Sequence, residues 1–158
     1  MKYGCTLLVV ADLTRAKHFY CKLLGLEVTA DFGANVTLSN IIALQTLESW
    51  QDFISKPAGE IQFGHNAAEL CFEEDDFDEF LKKLSAWPDI RYVHPIKEHS
   101  WGQRVVRFYD PDGHILEVGE NMDTVVHRFL ASGMTVTETA CRMDVPEAFI
   151  LAHKGDAF

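Results

Sequence analysis

Residues 103–119 read Gln-Arg-Val-Val-Arg-Phe-Tyr-Asp-Pro-Asp-Gly-His-Ile-Leu-Glu-Val-Gly, two strand-like runs on either side of Asp110-Pro111-Asp112-Gly113. Proline presets one turn torsion and glycine accepts positive φ, so these four residues predict a tight hairpin connection. The hairpin delivers one carboxylate, Glu117, from an otherwise apolar strand. Such a group can move a proton, ligate a metal or pair with a cation. With Tyr109 opposite His114, the register runs Phe108 with Ile115, Arg107 with Leu116, Val106 with Glu117 and Arg104 with Gly119. Arg104, Val106, Phe108, Ile115 and Glu117 then share one face, and Arg104 lies diagonal to Glu117 within reach of an ion pair. Glu117 and Arg104 are therefore the candidate catalytic residues, with Phe108 beside them.

Just ahead of this hairpin, residues 94–104 mix an indole, an amide and cations. Trp101 offers a stacking face, while Gln103 and Arg104 can fix a carbonyl or carboxylate, the division of labour expected in a mostly apolar pocket. Trp50 and Phe53 supply an opposite rim or seal a linker. His94, His99 and His114 show no paired ligand spacing and read as surface or hydrogen-bonding histidines. Glu73-Glu74-Asp75-Asp76 reads as a helix start, where acidic side chains meet the dipole and cap its amides.

The elements that must position these residues form a pattern that occurs twice. A strand-like run Thr6 to Ala11, a cap at Asp12 or Thr14, a helix with Ala16, Phe19, Tyr20, Leu23 and Leu24 on its apolar face, and three further extended segments make a βαβββ module. The order returns with a strand at Ala67 to Glu73, a helix carrying Phe77, Phe80, Leu81 and Leu84, and strands at Ile90 to Ile96, Arg104 to Tyr109 and His114 to Gly119. Aligning Asp12 with Asp76 gives an offset of 76 − 12 = 64, which also carries Cys5 onto Glu69. The reading is α+β: modules over residues 1–62 and 63–120, then a helical extension over 121–158. In that tail Val125, Val126, Phe129 and Leu130 set a helical pattern, Thr135 and Glu138 have capping-box spacing, and Asp144 with Pro146 starts a last short helix. It packs on the body or on a second subunit.

A chain of 158 residues with 47% hydrophobic content can bury a real core. Its formal charge of −10 repels phosphate backbones and argues against nucleic acid as a partner. Cys5, Cys21, Cys71 and Cys141 form no CxxC pair and follow no secretory leader, so reduced thiols in a cytoplasmic protein are expected. No apolar run is long enough to span a bilayer.

The duplicated βαβββ order, the helix start Asp12-Leu13-Thr14-Arg15-Ala16-Lys17-His18-Phe19-Tyr20 and the Asp-Pro-Asp-Gly turn before Glu117 together resemble the vicinal oxygen chelate superfamily. That group includes glyoxalase I, bleomycin-resistance proteins and extradiol dioxygenases, and the resemblance covers roughly residues 3 to 120. It implies two modules whose sheets curl into one mixed-sheet cup holding a ligand or metal, and a homodimer. It also implies metal ligands on each module's first and last strands, which here read Cys5, Gln45, Glu69 and Glu117. Gln is a feeble donor and no His stands at these positions, so a divalent metal is less favoured than a metal-free cup. Cys5 reads as a small packed residue rather than a nucleophile, since no activating His accompanies it. Two functions remain. One is a small-molecule-binding lyase or isomerase acting next to a carbonyl. The other is a non-catalytic, metal-free binding or sequestering protein.

Overall fold

The structure is a computed structural model and describes residues 1–155. It is α+β, with two four-stranded sheets and a C-terminal group of helices. Backbone contacts divide the chain into two units, the first Met1–Ala68 with Trp87–Ile90 and Tyr109–Ile115, the second taking the rest.

In the first unit, β1 (Thr6–Val10), α1 (Leu13–Lys22), β2 (Val28–Asp31), β3 (Asn35–Leu38) and β4 (Ile42–Thr46) follow one another, and the sheet order is β1-β4-β3-β2. β1 runs parallel to β4, with Leu8 opposite Leu44, and the remaining pairs are antiparallel. The Asp12 side chain accepts from the Arg15 amide at 2.9 Å and so satisfies one of the amides a helix start leaves open. Ala16, Phe19, Tyr20 and Leu23 recur at helical spacing and are all buried, which sets the face that α1 turns inward.

One helix was not foreseen. α2 (Leu47–Ile54) follows β4 directly, with the Thr46 side chain accepting from the Ser49 amide and Ser55 closing it in the left-handed region. Trp50 and Phe53 therefore ride on a helix, Trp50 half-buried and Phe53 exposed.

The second unit repeats the order: β5 (Glu69–Glu74), α3 (Phe77–Ala86), β6 (Arg91–Glu98), β7 (Arg104–Tyr109) and β8 (Ile115–Glu120) give a sheet ordered β5-β8-β7-β6. The 64-residue offset holds where the helices begin, Leu13 against Phe77. The acidic run before α3 does act as a cap, Asp76 accepting from the Glu79 amide at 3.0 Å.

The hairpin departs from the expected register by one residue. The Asp110 amide donates to the His114 carbonyl at 2.9 Å and the Gly113 amide to the Asp110 carbonyl at 3.1 Å, so Asp110 and not Tyr109 stands opposite His114. Gly113, at φ +92°, is the extra left-handed residue of a type I turn closed by a bulge. Continued along the strands, this register sets Arg107 opposite Glu117 and Arg104 opposite Glu120. A slip of one exchanges the faces of every side chain. Arg104, Val106 and Phe108 thus face α3, where Phe108 packs on Phe80 at 6.2 Å between ring centroids and Arg104 covers the Phe77 ring. The expected sharing of one face by Arg104, Phe108 and Glu117 is corrected accordingly.

The tip of the hairpin belongs to the first unit and is organised around buried Asp110. Its carboxylate accepts from the Tyr20 hydroxyl at 2.9 Å, from the Asp112 and His114 amides at 2.9 and 2.8 Å, and contacts His114 Nδ1 at 2.8 Å. Asp112 ties the turn to Ala11 and Arg15. Burial pushes the His114 imidazole down, but the facing Asp110 and Asp112 carboxylates outweigh it and raise its pKa. A raised folded value means that the contribution of His114 to stability is complete below the unfolded value of about 6.5 and is lost as pH rises through the folded one. Urea midpoints measured from about pH 6 upward should therefore fall more steeply for the parent than for His114→Gln. Equal slopes would show that His114 does not carry this dependence.

The tail folds as α4 (Met122–Ala131), α5 (Val136–Met143) and α6 (Glu147–His153). Thr135 and Glu138 form the expected capping box, and Pro146 is the N-cap of α6. Val125, Val126, Phe129, Ala140, Met143 and Ile150 make a small core of their own. No helix among the described residues is long and apolar enough to cross a membrane.

Candidate functional site

Period-two alternation places Glu69 and Cys71 on one face of β5, and the bulged register places Arg107 and Glu117 on the face of β7 and β8 turned away from α3. These side chains meet. Arg107 Nε donates to Glu69 Oε2 at 2.9 Å, and its Nη2 forms an ion pair with Glu117 Oε2. Cys71 Sγ lies 3.7 Å from Glu69 Oε1. His94, on edge strand β6, has Nε2 3.4 Å from Arg107 Nη1 and Nδ1 2.7 Å from the Pro95 carbonyl. Arginine has donors only, so Nε2 must accept, and the Nδ1–H tautomer donating to Pro95 satisfies both contacts.

The electrostatics follow from that guanidinium. Its hydrogen bonds hold the Glu69 carboxyl below the usual range, against the smaller effect of burial. Arg107 is itself raised, through the same bond to Glu69 and the nearby Glu117 charge. Burial pushes the Cys71 thiol up, and the adjacent Glu69 and Glu117 charges push it further, so it stays a protonated thiol. A thiol in that state is neither a ready nucleophile nor a ready metal ligand.

The ligating atoms of Glu69, Cys71 and Glu117 lie within 4.8 Å of one another, which by distance alone would suit a metal ion. The chemistry of the set does not fit one. The Arg107 guanidinium already bonds both carboxylates, and a second cation there would meet like charge as well as a protonated thiol. In the first unit, Gln45 is buried with its amide committed: Oε1 accepts from Asn35 Nδ2 at 2.6 Å and Nε2 donates to Ser49 Oγ. Cys5 precedes β1 and is exposed rather than packed in the core.

The other sequence candidates fall in different places. Arg104 bonds buried Glu120 and, at 2.9 Å, Asp78 of α3. Phe108 is fully buried. The amide of Gln103 is engaged at both ends, accepting from Trp101 Nε1 at 3.1 Å and donating to the Glu120 carbonyl at 2.8 Å. It holds Trp101 in place. Arg107 and Cys71 are not singled out by the sequence as site residues, and His94 reads there only as a surface or hydrogen-bonding histidine. Alternation from Glu69 could have found Cys71, and Arg107 needed the correct register.

Residues 3–123 match the glyoxalase-like domain family. Among solved structures, a protein of unknown function from Agrobacterium tumefaciens str. C58 is 36% identical with a TM-score of 0.68, the match covering 77% of this chain and 94% of that one. A lactoylglutathione lyase from Agrobacterium tumefaciens is 25% identical over 77% of this chain and 94% of its own, with a TM-score of 0.58. A glyoxalase/bleomycin resistance protein/dioxygenase from Nocardioides shares the fold at 20% identity and a TM-score of 0.60, covering 76% of this chain and 84% of that one. With its duplicated βαβββ order and a family match over most of its length, the chain belongs to the glyoxalase-like domain family.

Proposed function

We propose that this member of the family binds a small organic molecule without a metal, on the sheet face that carries Glu69, Arg107, Glu117 and His94. The observation that carries the reading is the Arg107 guanidinium between Glu69 and Glu117, where a metal-dependent relative would need an open cation position. Two carboxylates against one guanidinium leave acceptor capacity over, and Glu69 keeps about a third of its side-chain surface exposed, 34%. The ligand that suits this floor presents hydrogen-bond donors such as amide, amine or hydroxyl groups.

The test is a ligand screen by calorimetry on chelator-treated protein, paired with elemental analysis of protein purified without chelator. Saturable binding that is indifferent to added zinc, nickel or manganese supports the reading. A stoichiometric metal, with binding or turnover restored only by that metal, overturns it.

A second reading, a lyase or isomerase acting next to a carbonyl, draws support from the likeness to the lactoylglutathione lyase. In it Glu117 moves the proton and Arg107, in place of Arg104, stabilises the developing negative charge. Turnover of a 2-oxoaldehyde thiol adduct that Glu117→Gln abolishes, by metal-free protein, would favour it over sequestration.

A further inference from the structure

The segment 98–103 is held from several sides by the C-terminal helices, which lie almost wholly beyond the residue at which the family match ends. Arg128 Nη2 donates to the Gly102 carbonyl at 2.5 Å, while Arg142 donates to the Ser100 carbonyl and bonds Glu98 at 3.2 Å. Both guanidinium groups sit over the Phe129 ring, 5.1 and 5.2 Å from its centre. Gly102, at φ +91°, lies so close that a Cβ there would come within 2.3 Å of that ring. The turn itself closes through Gly102 N to His99 O at 2.8 Å and His99 N to Gln103 O at 2.9 Å.

What this clamp fixes is Trp101. Its ring stacks on the His99 imidazole at 4.2 Å and 12°, its Nε1 is bonded to Gln103, and yet 37% of the residue remains exposed. An indole immobilised on one side and open on another is preorganised for contact, because its ordering entropy is already spent in the free protein. It opens on a cleft of about 490 Å³, within the range of small-molecule sites, lined by Ser100, Trp101, Met122, Met143, Asp144 and Val145. Thioethers and a β-branched side chain make adaptable apolar walls for a flat ring. Asp144, held at φ +56° as the C-cap of α5, is the only charged side chain among the described lining residues, and it is an acceptor alone.

We infer that this cleft is a second ligand site, for a small aromatic amine whose ring lies against Trp101 and whose ammonium group meets Asp144. It lies on other elements than the Glu69–Arg107–Glu117 face, and each site stands or falls without the other.

Isothermal titration with three probes of one ring system tests it: tryptamine, 3-ethylindole and indole-3-propionate. Tryptamine should saturate at one site, 3-ethylindole should bind more weakly and indole-3-propionate not at all. Asp144→Asn keeps a residue that tolerates the left-handed region, and should weaken tryptamine about tenfold while leaving 3-ethylindole unchanged. Trp101→Leu should weaken both. The inference fails if no probe gives a saturable heat, if Asp144→Asn leaves tryptamine affinity unaltered, or if indole-3-propionate binds as tightly as tryptamine.

Discussion

Glu120→Ala is expected to cost about 2–3 kcal/mol of unfolding free energy, a sizeable share of what a domain of this size has. Glu120 is fully buried at the end of β8. Its Oε1 accepts from Arg104 Nε and Nη2 at 2.9 and 2.7 Å, and its Oε2 from the Arg104 amide at 2.9 Å and from Arg128 Nη2 at 3.1 Å. Removing the carboxylate leaves the Arg104 amide without its acceptor and takes one partner from each guanidinium, Arg104 keeping Asp78 and Arg128 the Gly102 carbonyl. Burial pushes Glu120 up, but the Arg104 bonds and the Arg128 charge outweigh it and hold the carboxyl below its usual range. A lowered folded value contributes stability above the unfolded value of about 4.3 and loses it as pH falls through the folded one. Urea unfolding of the variant at neutral pH is the measurement. A loss below about 1 kcal/mol would mean that the network does not brace this unit. Glu120→Leu combined with Arg104→Met should recover much of the loss, since a buried pair is costly to break singly and cheaper to replace whole.

Arg107→Met should change what the other sheet face can hold. Without the guanidinium, Glu69 and Glu117 confront one another across the positions it bridged, two like charges with no cation between them. The same change opens a cluster of two carboxylates and a thiol, whose ligating atoms already lie within 4.8 Å. Zinc accepts both donor types. The variant is therefore expected to bind one zinc ion at pH 7.5 with at least tenfold higher affinity than the parent, and to be about 1–3 kcal/mol less stable in its absence. Calorimetry with zinc chloride and urea unfolding with chelator read the two effects separately. Parent protein that binds zinc as tightly as the variant would contradict the role given to Arg107.

Much of this architecture could be read from the residues. The βαβββ order, its return 64 residues later, the Asp-Pro-Asp-Gly turn and the Thr135/Glu138 capping box all rest on local patterns that act within a few residues. What escaped reading was non-local or hinged on a single residue. α2 is only eight residues long, so its Leu47 and Trp50 spacing was too short to separate a helix from a connecting loop. Glu120 sits one residue past the predicted end of its strand, and nothing local announces that a glutamate there will be fully buried between two arginines. Arg107 was missed because Gly113 was counted as part of a turn that leaves Tyr109 opposite His114, when it is the surplus residue of a bulge. The error was one position and the cost was the whole face.

That bulge has a consequence for chemistry as well as for geometry. β7 carries two arginines an odd number of places apart, Arg104 and Arg107, so they point to opposite faces. The parity of the turn decides which one the following strand's carboxylates encounter. A turn one residue shorter would set Val106 against Glu117 and turn that carboxylate away from Arg107 toward the face of Arg104, although every ligand-type residue in the sequence stayed the same. Which of the two guanidinium groups meets Glu117 is thus encoded in a loop length.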